Sequence, residues 1–287
     1  MSTPVVTVAL ARRFRLGGGA GPVFTIAVAV LVVVSSLALL ADIVAPADPL
    51  AVNLSATLAG PGAEYLLGAD LSGRDTLSRL IHGARASLLG PFTVVVASSV
   101  AGVVLGSWSA WRGGLVDVAL SRSLEIVFAF PGLLLAILAV AVVGPGLTAP
   151  VVAMTVAYTP YIARLTRSAM LQEAAKPYVA AYRVQGFSAW SIAVRHVLPN
   201  ILPVILAQAT LNFGYALMDL AALSYLGFGV QPPTPDWGTM IKEGQPAILE
   251  GAMLPAVVPG ICIVVVVVAF TLVGEGIADR VARRENR

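Results

Sequence analysis

Apolar residues fall into six long runs along the chain, at about 23–43, 88–110, 118–143, 147–169, 200–228 and 253–277. The runs are continuous rather than alternating. They predict helices, each long enough to cross a hydrocarbon core that takes about 20 helical residues. A β-barrel would instead show alternating strands of about ten residues. Trp111-Arg112-Gly113-Gly114 separates the second run from the third, and Gly144-Pro145-Gly146 the third from the fourth. The run 200–228 is longer than a span needs, so its lower end is expected outside the bilayer.

Three polar stretches are too long to be mere connectors. They are the outer loop 44–87, the inner loop 170–199, and Gln231 to Gly251 with its Pro232-Pro233-Thr234-Pro235 and Trp237. No internal repeat or low-complexity tract interrupts this pattern.

Composition strengthens the membrane reading. Of 287 residues, 58% are hydrophobic and 11% charged, against about 25% charged in an average soluble domain. A soluble enzyme of this size could not cover so much apolar surface. The expected fold class is all-α: a polytopic membrane protein of six transmembrane helices. The domain reading is a tail 1–22, one membrane domain 23–280 and a tail 281–287.

Charge placement gives the orientation. With the N-terminus inside, the inner side holds Arg12, Arg13, Arg15, Arg112, Arg122, Arg164, Arg167, Lys176, Arg183, Arg195, Arg280, Arg283, Arg284 and Arg287. The outer side holds Arg74, Arg79, Arg85 and Lys242. Fourteen against four fits the positive-inside rule with both termini cytoplasmic. Three arginines, an apolar run and Ala45-Pro46-Ala47 look a little like a secretory signal. The run is too long and the proline misplaced for one, so a retained first helix is expected.

Some chemistry is excluded early. Lys176 and Lys242 are the only lysines, and neither follows a Gly-rich phosphate loop. No ATP-hydrolysing site, catalytic residue or resident cofactor is expected in this chain. Cys262 stands alone, and His82 and His196 lie far apart, so neither a disulfide nor a metal site is expected. Nothing points to nucleic acid.

The inner loop reads as two short helices broken at a glycine. Pro177 suits a first helical turn, Gly186 a C-terminal cap and Ser188 the N-cap of the second helix. Pro199 marks entry to the next span. Such an element, lying along the membrane and carrying Phe187 and Trp190, is a shape another protein could grip.

Here the sequence resembles a known family. Tyr178-Val179, Gly186, Ser188, Ile192 and Arg195-His196-Val197-Leu198-Pro199-Asn200 are similar to the EAA loop of binding-protein-dependent ABC importer permeases. Gly68 to Leu88, Phe130-Pro131-Gly132, and Ser224-Tyr225-Leu226-Gly227-Phe228-Gly229 with Asp236-Trp237-Gly238 resemble segments of the C-type permease of dipeptide and oligopeptide importers. The likeness runs through about residues 23–280, in order.

The resemblance implies a non-catalytic permease subunit of the bacterial plasma membrane, working by alternating access on peptides or similar small solutes. A nickel or metal-chelate importer, or a haem importer, is the alternative. The implied partners are a second six-helix permease, two ABC ATPase subunits or one fused ATPase, an extracytoplasmic binding protein and the lipid bilayer. ATP and Mg sit in the ATPase partners. Ala180, Ala181, Arg183, Gly186, Phe187, Ser188, His196 and Pro199 are the implied coupling residues, within a coupling loop 176–199 between the fourth and fifth spans.

The chain departs from the family at one point of that loop. The family's Glu-Ala-Ala falls at Ala180, Ala181 and Tyr182, so its acid is missing. The literal Glu173-Ala174-Ala175 lies out of register and is set aside as a decoy.

Several single residues carry expectations. Asp219, inside an apolar run, costs a few kcal/mol if left facing lipid, about 2.5–3.5 on insertion scales. It either lines the translocation route and favours a cationic part of the substrate, or pairs with an arginine or backbone group of a neighbouring subunit. Arg74, Asp75, Arg79 and Arg85 are placed on an outer helix capped at Ser72, with an apolar face of Leu77, Leu80, Ile81, Ala84 and Leu88. That helix either docks on the partner permease or gates substrate directly.

The remaining expectations are plainer. Arg122 and Glu125 are expected to pair along one helix, and His196 to make a helix-end hydrogen bond. His82 is expected in solvent, Trp190 and Trp237 at the membrane interfaces, and Cys262 as a small buried hydrophobe. Gly102 and Gly106 form G-x-x-x-G, the spacing for close helix approach, although 27 glycines make it common by chance. A lone secondary transporter or channel would predict an inverted repeat or paired intramembrane charges, and neither is seen. A membrane scaffold is the other class.

Overall fold

The computed structural model describes residues 21–285, with side chains to 280. The tail carrying Arg12, Arg13 and Arg15, the residue Arg287, and the side chains of Arg283 and Arg284 lie outside the described residues. Every described element is helical apart from an isolated bridge between Ala69 and Asp75.

Helix α1 (Pro22–Leu39) opens on a proline, whose fixed φ and missing N–H suit a first turn. A one-turn helix α2 (Ala41–Val44) follows, so the first run is broken at Leu40. After the outer loop comes α3 (Thr76–Arg112), 37 residues long, or about 55 Å at 1.5 Å per residue. It fuses the expected outer helix and second span into one rod. Pro91 inside it is accommodated, as prolines in membrane helices often are.

The third run, expected as one span, is two helices. These are α4 (Gly114–Phe128) and α5 (Gly132–Val143), bent by 80° at Ala129–Pro131. Pro131 cannot donate to the α4 ladder, and it fixes the N-cap of α5. Next come α6 (Thr148–Ala174), α7 (Pro177–Val184), α8 (Ala189–Ile192) and α9 (Leu198–Leu226). The chain ends with α10 (Trp237–Leu249) and α11 (Leu254–Glu285).

Among the described residues, α1, α3, the stretch Ala189–Leu226 and α11 are each long and apolar enough to span, and the bent α4–α5 pair makes a fifth. The remaining run, α6, is long enough at 27 residues but less apolar. Its Thr, Tyr and Pro residues are tolerated because α6 sits inside the bundle, burying Met154, Ile162 and Met170 against its neighbours.

Two apolar cores hold the bundle. One gathers Val94, Met154, Leu217, Leu223, Trp237 and Val266, with Phe213 stacked on Phe270 at 3.8 Å. The other, at the opposite end, joins Ile162 and Met170 to Val179, Ile192, Val197 and Ile201. The G-x-x-x-G expectation is met. A Cβ at Gly102 would lie 2.6 Å from Ile162 Cβ, and one at Gly106 would strike the Ala163 carbonyl. Glycine at these two positions lets α3 and α6 approach backbone to backbone.

Candidate functional site

The inner loop is built as the sequence indicates. Helix α7 starts at Pro177 and ends in a Schellman turn. Gly186 N–H donates to the Arg183 carbonyl and Phe187 N–H to the Tyr182 carbonyl, both at 3.1 Å. Closing that turn puts Gly186 at φ +82°, a conformation L side chains rarely adopt. The hydrophobic contact of the motif is aromatic, with Tyr182 and Phe187 rings edge to face at 5.2 Å. Ser188 caps α8, its hydroxyl accepting from Ser191 N–H at 3.2 Å.

Pro199 does not break the chain. A π-helical turn, Ala193–Val197, carries α8 straight into α9, with Leu198 N–H donating to the Ala193 carbonyl. Pro199 then occupies the first turn of α9, where its missing N–H is tolerated. His196 makes a stack rather than a helix-end hydrogen bond. Its ring lies 4.0 Å from Tyr182, 22° from parallel, and edge-on to Phe187 at 6.0 Å.

Val179, Ile192 and Val197 are fully buried beneath the loop, pinning it to α6 and α9. The opposite side faces out: Ala180, Ala181, Arg183, Gly186, Phe187, Ser188 and Pro199 are exposed, as is Trp190 at 70%. The result is an outward-facing knob, packed on its inner side and rooted in two long helices.

Sequence reasoning missed its root. Glu173, set aside as out of register, is buried at the end of α6 and holds three elements together. The Tyr178 hydroxyl donates to Glu173 Oε1 at 2.8 Å, Asn200 Nδ2 donates to the same oxygen at 3.2 Å, and Lys176 Nζ lies 2.6 Å from Oε2. Burial and the Glu173 carboxylate raise the Tyr178 phenol above its ordinary value, so it remains a donor. The legible signal was an acid followed three residues on by Lys176 and five on by Tyr178.

A second polar assembly fills the end of the bundle away from the knob. Arg79 is buried, and its Nη2 lies 2.6 Å from Glu243 Oε2 on α10, with Nε 3.4 Å from Asp70. Arg74 reaches the same two acids at 2.7 and 3.1 Å. Two cations and two anions neutralise one another across the outer loop, α3 and α10.

Asp75, not Ser72, caps α3: its Oδ2 accepts from Ser78 N–H at 2.8 Å. Arg74 therefore precedes the helix. With Arg74, Asp75 and Arg79 all buried, this is no one-sided interfacial helix.

Arg85 caps the end of α1, donating to the Ala38 and Leu39 carbonyls and bidentately to Asp42 at 3.0 and 2.7 Å. The Arg85 hydrogen bonds hold the Asp42 carboxyl below its ordinary range. His82 is drawn into the same joint, Nε2 lying 3.3 Å from Asp42, rather than standing free in solvent. Trp237 is buried rather than interfacial. Its Nε1 donates to the Leu80 carbonyl at 3.0 Å, and Ser87 Oγ donates to Asp236, the N-cap of α10, at 2.6 Å.

Two further polar joints tie the helices elsewhere in the bundle. Asp219 accepts from the Tyr158 hydroxyl at 2.9 Å. Asp117 on α4, which the sequence did not single out, is bound bidentately by Arg167 of α6 at 2.6 and 2.5 Å and accepts from Ser109 of α3. A cavity of about 270 Å³ lies beside it, lined by Ser109, Glu125, Arg164 and Arg167 among others. The Arg122–Glu125 pair forms as expected at 2.9 Å. Cys262 is half-buried against the larger core.

The arrangement matches known proteins. Residues 102–287 match the family described as binding-protein-dependent transport system inner membrane component. The di/tripeptide transport system permease protein DppC of Pseudomonas aeruginosa is 42% identical over 248 residues, covering 84% of this chain and 82% of that protein. The dipeptide transport system permease protein DppC of Escherichia coli K12 is 40% identical over 255 residues, covering 87% and 85%.

Among solved structures, the inward-facing MetNI methionine ABC transporter aligns with TM-score 0.55 at 22% identity, over 70% of this chain and 95% of that one. It supports the fold. The family match and the extended identity to permeases together establish that this chain belongs to the binding-protein-dependent transport system inner membrane components.

Proposed function

We propose that the chain is one of two permease subunits of an ATP-driven importer of short peptides, lining half of the translocation route. The observation that carries this is the knob at 177–199: an exposed helix–glycine–helix tied by Glu173 and the Tyr182–His196 stack to α6 and α9. Such a knob transmits a push from a partner into the bundle instead of absorbing it. The peptide-permease relatives favour peptides over a nickel chelate or haem.

In this reading α6 supplies the sixth span, the knob and both termini are cytoplasmic, and the outer charge network faces the extracytoplasmic binding protein. Ala180, Ala181, Arg183, Gly186, Phe187, Ser188, His196 and Pro199 form the coupling surface for two ATPase subunits or one fused ATPase. ATP and Mg are bound there, and this chain does no covalent chemistry. ATP binding closes the ATPase pair and moves the knob, and α6 and α9 tilt with it to open the route outward. Hydrolysis resets the pair. Asp219 lines the route.

Co-expression with the partner permease, ATPase and binding protein, followed by reconstitution in lipid vesicles, tests this. Uptake of labelled dialanine should require both ATP and the binding protein. Uptake by this chain alone, or dependence on an ion gradient instead of ATP, contradicts the reading.

A further inference from the structure

Four polar side chains of α9 share one side of the helix. Gln208, Asn212, Tyr215 and Asp219 are spaced by four, three and four residues, so at 100° per residue they lie within a sector of about 60°. The rest of α9 is largely apolar. A polar stripe along a membrane helix faces protein or water rather than lipid.

The stripe is only partly satisfied. Gln208 Nε2 donates to Asn212 Oδ1 at 3.1 Å. Asn212 is only 3% exposed, and its Nδ2 is buried with no partner among the described residues. Tyr215 is 63% exposed. Asp219 receives a single side-chain hydrogen bond, from Tyr158 of α6, and no described cation comes within salt-bridge reach of it. An ionised carboxylate accepts about four hydrogen bonds, so most of its capacity is open.

We propose that this stripe binds the amino-terminal end of the transported peptide, which deepens and rests on the peptide reading above. Asp219 takes the α-ammonium, held in orientation by the Tyr158 hydroxyl. Tyr215 lies about 6 Å along the helix from Asp219, Asn212 about 10 Å and Gln208 about 16 Å. An extended peptide advances about 3.3–3.6 Å per residue. Tyr215 therefore meets the main chain of the second residue, whereas Asn212, about 10 Å away and buried, lies beyond the reach of a dipeptide. The stripe reads the free amine and the main chain of a di- or tripeptide and ignores its side chains.

The test uses the reconstituted complex of both permeases, ATPase and binding protein, with Cys262→Ala as background. Asp219→Cys should react with water-soluble charged thiol reagents, and dialanine with ATP and binding protein should slow that reaction. Asp219→Asn should cut dialanine uptake below saturation about tenfold, the worth of a lost charge-assisted hydrogen bond. Asp219→Glu should retain most of it.

No reaction at Asp219→Cys overturns the proposal, because the stripe is then dry. Reaction with unaltered uptake in Asp219→Asn overturns ammonium binding alone and leaves the route intact. Loss of the partner permease from Asp219→Asn preparations also overturns it, the carboxylate then being half of an ion pair between subunits. A wild-type complex that takes up no dialanine, while its binding protein still stimulates ATP turnover, overturns the peptide reading itself.

Discussion

The rings of Tyr182 and His196 stack at 4.0 Å, joining the end of α7 to the π-helical turn that leads into α9. They make the two arms of the knob one body. An aromatic pair contributes about 0.5–1.5 kcal/mol beyond its burial, which is modest for stability. Tyr182→Ala should therefore assemble normally with its partners. ATP hydrolysed per peptide imported should rise several-fold, because the knob gives way before the bundle moves. An unchanged ratio in reconstituted vesicles contradicts a mechanical role for the stack.

Glu173 carries more of the load. Glu173→Ala leaves Tyr178 and Asn200 without their shared acceptor and Lys176 without its partner. Each stranded polar group costs about 1–3 kcal/mol where it is shielded from water. The variant should lower the unfolding temperature of the complex and weaken its hold on the ATPase, measured by co-purification. Glu173→Gln keeps one acceptor oxygen and should fall between the two.

The outer network behaves differently because its charges are buried. Arg79 is 1% exposed and faces both Glu243 and Asp70. Arg79→Ala leaves those acids with only Arg74 between them, and breaking a buried ion pair costs about 3–5 kcal/mol. The complex should denature at distinctly lower temperature in detergent. Replacing all four charged residues together by apolar residues of similar volume should recover part of the loss, which differential scanning fluorimetry can follow.

These residues show what the sequence reveals and what it hides. Several local signals held, although the cap of α3 is Asp75 and not Ser72. Pro177 at a helix start, Gly186 past a helix end, Ser188 as a cap and the Gly102–Gly106 contact were all legible from residue type and spacing. Partners far apart in sequence were not. Glu243 meets Arg79 across 164 positions and Asp117 meets Arg167 across 50, and nothing in either neighbourhood names the other. Glu173 was set aside because its register failed a family pattern, although burial with three donors is a separate question. The 80° break between α4 and α5 was hidden because apolarity continues through Pro131.

The contact of α3 with α6 gives a prediction about the bundle rather than the knob. A leucine at Gly106 would drive its Cβ into the Ala163 carbonyl and crowd Thr166. Overpacking of this kind costs about 1–3 kcal/mol or more. Gly106→Leu should reduce the yield of assembled complex far more than Gly62→Leu, whose Cβ meets nothing within 4 Å and whose backbone is not left-handed. Equal yields by size-exclusion chromatography contradict the close approach.

The coupling role of the knob is tested most directly at Gly186. Its φ of +82° closes the turn, and a Cβ there would meet no neighbouring atom within 4 Å. Gly186→Val therefore perturbs the backbone conformation rather than crowding a neighbour. ATP turnover of the co-purified complex in lipid should rise with peptide-loaded binding protein in the wild type. In Gly186→Val that stimulation should fall sharply while all subunits still co-purify. Normal stimulation and normal peptide uptake in the variant contradict coupling through this loop.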